Sequence, residues 1–185
     1  MYKKSKRILF VSSEVDPFAK TGGLADVAMA LPKELVSKGH DVRIVMPMYK
    51  SIDIRTNFTT DIKVWVGSRR ESFVVREAKV PYEHSGKRFK ILIYFIDSAY
   101  YFGRDGMYGY DDDGERFAFF CKAVLEMLPR IDFNPEVLHC NDWHTGPICM
   151  LLKESEEYKF NNYYRQIKTV FTIHNLRYQG LNFNP

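Results

Sequence analysis

Apolar residues along this chain alternate between short unbroken blocks and stretches with a three- and four-residue rhythm. Ile8-Leu9-Phe10-Val11 is an unbroken block, as a parallel strand covered on both faces requires. A loop from Glu14 to Gly23 follows it. Leu24, Val27, Ala28, Leu31 and Leu35 then recur at helical steps, with Gly39 placed to stop the helix and Pro32 predicting a kink inside it. Asp41 to Met46 reads as a second strand closed by Pro47. This strand–helix–strand order is a βαβ unit, which is right-handed in nearly every case.

The texture changes between Asp61 and Asp97. Apolar runs at Lys63–Val66, Phe73–Val75 and Ile91–Ile96 are separated by turn-like stretches at Gly67–Arg70 and His84–Lys87, a spacing that predicts antiparallel hairpins inserted over about 60–97. Phe102 to Gly114 is rich in Gly and Asp and reads as a surface loop. In the helix that follows, Phe117, Phe120, Cys121, Val124, Leu125 and Leu128 form the apolar stripe, with Asp113 as cap and Pro129 as stop. Val137–Cys140 reads as a strand, Ile148–Tyr158 as a helix and Thr169–Ile173 as the last strand. The expected fold is α/β: a doubly wound, mostly parallel, Rossmann-like sheet with an antiparallel hairpin insertion.

Composition sharpens this picture. The 185 residues suit one domain, and 45% hydrophobic and 15% aromatic content is ample for a core. Net charge is +4, with Lys3, Lys4, Lys6, Arg7 and Lys20 near the amino terminus, which is too mild a bias to indicate nucleic acid. The first apolar run is too short for a signal-peptide core or a membrane span, so a cytoplasmic protein without a membrane partner is expected. Cys121, Cys140 and Cys149 lack C-x-x-C spacing and read as reduced, mostly buried thiols.

Ligands of doubly wound sheets bind beyond the carboxyl ends of the strands. Three segments fall there: Glu14–Gly23, Asn141–Gly146 and His174–Gly180. In the first, Lys20, Gly22 and Gly23 sit at a helix amino terminus, where free N–H groups and the helix dipole favour an anion; a plain glycine turn is the alternative. In the second, Asp142 can accept from sugar hydroxyls, Trp143 can pack on a sugar face and His144 can donate or accept. Zinc on His139, Cys140, Asp142 and His144 is a weaker reading, and Asp142 can also cap the next helix. In the third, His174 and Asn175 offer hydrogen bonds to a polar ligand. Tyr100 or Tyr101 can reach a sugar. Asp111-Asp112-Asp113-Gly114 lacks calcium-loop spacing and reads as a solvated turn.

Ser13-Glu14-Val15, Lys20-Thr21-Gly22-Gly23-Leu24-Ala25-Asp26-Val27 and Leu31-Pro32 resemble the start of bacterial glycogen synthases and plant starch synthases. Glu115–Phe120, Asn141-Asp142-Trp143-His144-Thr145-Gly146 and Thr172–Gly180 resemble further blocks of that family in the same order. The resemblance implies a two-Rossmann-domain (GT-B type) glucosyltransferase. Such an enzyme moves glucose from ADP-glucose to the non-reducing end of an α-1,4-glucan, such as glycogen, with retention of configuration. It implies that Asp142 and His174 are the catalytic pair beside the transferred glucose. Lys20, Gly22 and Gly23 then meet the donor's phosphate side, and Asn175 and His144 help to hold sugar hydroxyls, beside Trp143 and Tyr100 as the sugar contacts read from the residues themselves. It implies no metal and no redox cofactor. The whole chain, 1–185, then reads as the acceptor-side domain without the nucleotide-binding one, nearly inactive alone. A non-catalytic glucan-binding module is the alternative.

Overall fold

In the computed structural model, which describes residues 4–180, the first apolar block forms β1 (Arg7–Val11), the helical stripe α1 (Gly23–Ser37) and the next block β2 (Asp41–Pro47). Of the basic leader, Lys3 lies outside the described residues. β1 and β2 pair in parallel, from Arg7 opposite Asp41 to Val11 opposite Val45. Gly39 does stop α1. At φ 89° it donates its N–H to the Val36 carbonyl while the His40 N–H reaches Leu35, the paired bonds of a Schellman cap. The helix runs through Pro32, which is buried with Leu24, Ala25, Ala28 and Met29. Val27, expected inside, is 36% exposed. The buried stripe therefore keeps Leu24 and Ala28 but is turned by roughly 70° from the expected one. Ala28 and pliant Met29 join the sheet core, Leu31 packs against it half-buried, and Val27 is the residue turned outward.

β3 (Asn57–Val66), β4 (Arg69–His84) and β5 (Lys87–Asp97) are antiparallel to their neighbours in the chain and longer than their apolar cores suggested. Both connections are two-residue turns. Gly67 at φ 56° supplies the first, and Ser85 (φ 51°) with Gly86 (φ 72°) supplies the second, a pair of positive angles that matches the twist of the flanking strands. β5 also pairs in parallel with β2, so the hairpin strands extend the parallel sheet at one side.

A one-turn helix, α2 (Ala99–Phe102), leads through the Gly/Asp loop to α3 (Asp113–Met127), which gives way to a 3-10 turn at Leu128–Arg130 carrying Pro129. β6 (Val137–Asn141), α4 (Pro147–Glu154), α5 (Glu156–Lys159), α6 (Asn162–Arg165) and β7 (Lys168–Thr172) complete the chain. The single helix expected to Tyr158 is broken at Ser155, whose ψ of 128° is extended.

The seven strands form one sheet in the order β3-β4-β5-β2-β1-β6-β7. Its parallel part, β5-β2-β1-β6-β7, grows outward from β1 in both directions. With right-handed crossovers this puts helices on both faces and opens a crevice between the carboxyl ends of β1 and β6. The core is aromatic where α3 meets the hairpin: Phe119 packs edge-on to Phe73 and stacked on Tyr101.

Arg116 of α3 is fully buried beside this core. It donates to the carbonyls of Tyr101 and Met107 and pairs with Asp113. Asp113 thus does not cap α3. It is buried in the first turn and accepts the loop N–H groups of Gly109 and Tyr110, so the acidic run is only partly a solvated turn. At the other side of the sheet, β7 is the edge among the described strands, with Val170 46% and Phe171 45% exposed.

Candidate active site

The three polar segments do converge at the carboxyl ends of the strands. From β1 the chain continues through Ser12 and Ser13 into Glu14, whose carboxylate is buried and heavily used. It accepts the backbone N–H groups of Thr21 (2.6 Å) and Gly22 (3.3 Å) and the Thr21 hydroxyl (2.6 Å). The anion-binding amides expected at the start of α1 are therefore met in part from within the chain. Lys20 is exposed and paired with Asp26, with Asp16 at 3.9 Å. The hydrogen bond to Asp26 holds its ammonium above the usual lysine value.

Gly22 is extended, at φ −153°, and neither it nor Gly23 has any atom within 4 Å of where a Cβ would sit. The chain's own packing therefore requires glycine at neither position.

Tyr108, from the Gly/Asp loop, joins the first segment to the second. Its hydroxyl lies 2.9 Å from both Ser13 Oγ and Glu14 Oε1, and its ring rests on that of His144 at 4.9 Å. Burial beside these groups pushes the phenol well above its ordinary value, so it stays a neutral donor. His144 is only 7% exposed. Its ring is stacked on Trp143 at 4.0 Å and edge-on to Phe117 at 4.6 Å, and burial pushes its pKa down to about 3. Nδ1 has no hydrogen-bond partner among the described residues. The structure thus places His144 in an aromatic stack as a neutral imidazole, while Trp143 is half-buried beside it.

Asp142 is one of two residues other than glycine at positive φ among the described residues, at 57°. Asp tolerates this region better than most side chains, but holding it there requires surroundings that over-determine the backbone. They do. The Asp142 N–H donates to Thr172 O (2.9 Å), its carbonyl accepts the Thr145 N–H (3.1 Å), and its Oδ1 accepts the His174 N–H at 2.7 Å. Its side chain therefore reaches the third segment, whereas α4 starts after Gly146 without a side-chain cap.

The His174 ring meets Asn141 Oδ1 through Nε2 at 2.9 Å, and Asn141 Nδ2 reaches back to the Val11 carbonyl of β1 at 3.0 Å. Asp142, His174 and Asn141 are one network. Asn175 is exposed, and its side-chain oxygen accepts the Arg177 N–H in a local turn. Tyr100 lies apart from this network: its hydroxyl accepts from Arg69 of β4, and Arg104 sits over its ring.

Glu14, Tyr108 and Asn141 are the site residues that sequence reasoning passed over. Glu14 stood in a recognised motif but in a loop read for its glycines, and Tyr108 in a loop read as surface. Among the described residues, no group of three or more His, Cys, Asp or Glu side chains is placed to hold a metal ion. None of the described helices is long and apolar enough to cross a membrane. An open groove lined by His40, Asp41, Lys90 and Ile131 lies at the opposite, amino-terminal end of the strands and contains none of these site residues.

Comparison with known proteins identifies the family. Residues 7–184 match the family model described as the starch synthase catalytic domain. Among curated proteins, the chain is 48% identical over 186 residues to a glycogen synthase of Desulforudis audaxviator, covering 97% of this chain and 37% of that protein. It is 52% identical over 177 residues to a glycogen synthase of Moorella thermoacetica, covering 96% and 35% respectively. Among solved structures, the catalytic domain of starch synthase IV from Arabidopsis thaliana bound to ADP and acarbose superposes with a TM-score of 0.81 at 29% identity. That match covers 96% of this chain and 35% of the other. The chain spans about a third of the length of the relatives it matches.

Proposed function

The chain belongs to the starch synthase catalytic-domain family, and from that membership we propose that it carries the acceptor-side part of a glucosyltransferase active site. The reaction is transfer of glucose from ADP-glucose to the non-reducing end of an α-1,4-glucan with retention of configuration. It needs no metal or redox cofactor, and its setting is the cytoplasm. The observation that carries this reading is the Asp142–His174–Asn141 network at the carboxyl-end crevice, opposite a lysine and two open glycines at the start of α1.

Each part has a physical task in such a transfer. The leaving group is a nucleoside diphosphate, so bond breaking places negative charge on phosphate oxygens and positive character on the sugar ring. Preorganised charges and dipoles aimed at those two places are the main source of rate. Lys20 can serve the phosphate side because its present partners are exposed, and exposed ion pairs are weak and exchangeable. The bare faces of Gly22 and Gly23 let a ligand approach the backbone closely. Asp142 sits at the sugar side with one carboxylate oxygen already anchored to the His174 N–H, which fixes both residues before substrate arrives. Trp143 and the exposed Asn175 flank this position as sugar contacts.

The relatives are about three times as long as the matched segment, so we assign the remaining donor contacts to sequence outside these 185 residues. The test is titration of the chain with ADP-glucose and with maltooligosaccharides, followed by an assay of glucose transfer. Glucan binding, weak donor binding and little or no transfer are expected. Glucan binding with no binding of ADP-glucose at all would point to a glucan-binding module instead. Efficient transfer by the isolated chain would overturn the division of the site.

A further inference from the structure

The geometry points to Asn141 as a positioning residue that fixes the proton of a neutral His174 on Nε2 and leaves Nδ1 as the ring's hydrogen-bond acceptor. Asn141 is fully buried at the carboxyl end of β6. A carboxamide offers two N–H donors on one atom and two lone pairs on the other. Here Nδ2 lies 3.0 Å from the carbonyl oxygen of Val11 and 3.0 Å from that of His139, so both of its protons have acceptors. Rotating the amide by half a turn would press Oδ1 against two carbonyl oxygens with no proton between them. The orientation is thereby settled by chemistry, and Oδ1 is the atom that faces His174 Nε2 at 2.9 Å. Because Oδ1 can only accept, Nε2 must donate. A neutral imidazole carries one N–H, so Nδ1 keeps its lone pair.

A second contact comes from the next residue. Along a regular strand, the side chains of positions 141 and 142 would point to opposite faces of the sheet. The left-handed backbone at Asp142, φ 57°, breaks that alternation at the end of β6. Both side chains then reach the same residue: Asn141 holds the His174 ring, and Asp142 holds its N–H at 2.7 Å. The unusual backbone angle is what allows this two-point clamp.

The functional consequence rests on the reading of His174 as a sugar contact. On that reading, the ring presents a lone pair to a sugar hydroxyl rather than a proton to a leaving group, because the Nε2 proton is already engaged. The tautomer itself can be tested without substrate. In nitrogen-15 NMR spectra of the ligand-free chain at alkaline pH, His174 is expected to show a pyrrole-type Nε2 and a pyridine-type Nδ1. The reverse pattern, or an averaged one, would overturn the assignment. In Asn141→Ala the single pattern should be lost to tautomer exchange while the His174 amide stays slow to exchange through Asp142. An unchanged ring pattern in that variant would also overturn it. A wild-type chain with the Nε2–H pattern that binds neither ADP-glucose nor maltooligosaccharide would count against the proposed function and in favour of the tautomer.

Discussion

His144 carries a charge-sensitive group into an aromatic stack, and its burial makes folding depend on pH. The folded pKa, about 3, is depressed from an ordinary 6.5, so below pH 6.5 the unfolded chain takes up a proton that the folded chain refuses. The contribution is absent above that pH, and stability is lost as pH falls from there toward the folded value. Between about pH 7 and about pH 5 the loss from this residue is about 2 kcal/mol, and it does not depend on the folded value so long as that lies well below 5. Urea denaturation at the two pH values should show a flatter dependence in His144→Phe than in the wild type. Arg116 poses the complementary case of a charge that stays charged. Replacing it by Met leaves the buried Asp113 carboxylate without its cation, at a cost of about 3 kcal/mol or more in chemical denaturation. Neither role was visible in the sequence. A histidine beside a tryptophan reads equally well as a sugar contact, and an arginine in an apolar helical stripe gives no sign of which carbonyls it will meet.

Among the elements, legibility followed the strength of local chemistry. Gly39 marked its helix end because only glycine takes φ 89° freely, and the turns at Gly67 and Ser85-Gly86 fell within the predicted stretches for the same reason. The break at Ser155 escaped notice because hydrophobic residues recur at helical spacing on both sides of it. The facing of α1 departs from its periodicity only in part: Leu24, Ala28 and Leu31 face inward as their spacing predicts, while Met29 and not Val27 fills the core. Ser85 suggests an improvement at this scale. It occupies the left-handed region, where Asn is far better tolerated, in a two-residue turn whose favoured sequence is Asn-Gly. Ser85→Asn should raise stability by roughly 0.5 kcal/mol or more, read as a higher denaturation midpoint with an unchanged m-value.

For the molecule as a whole, the doubly wound architecture and the end of the sheet where the polar segments lie were legible, while the strand order comes from the structure. The apolar blocks fixed which segments are strands, and the chirality of βαβ crossovers left few ways to arrange them, so the three polar segments had to meet at one end of the sheet. Side-chain orientation was not legible: that Asn141 and Asp142 reach the same histidine depends on one backbone angle that no residue pattern announces.

The edge strand β7 determines how the isolated chain behaves in concentrated solution. A strand with one hydrogen-bonding side open among the described residues, and with Val170 and Phe171 exposed, is a template on which other chains can add strands. Light scattering of the 185-residue chain should therefore rise with concentration and time, and Val170→Lys should suppress that rise without lowering the denaturation midpoint appreciably. The practical ceiling on sample concentration is then set by this strand, at the far side of β6 from β1, and not by the polar crevice where the chemistry is proposed.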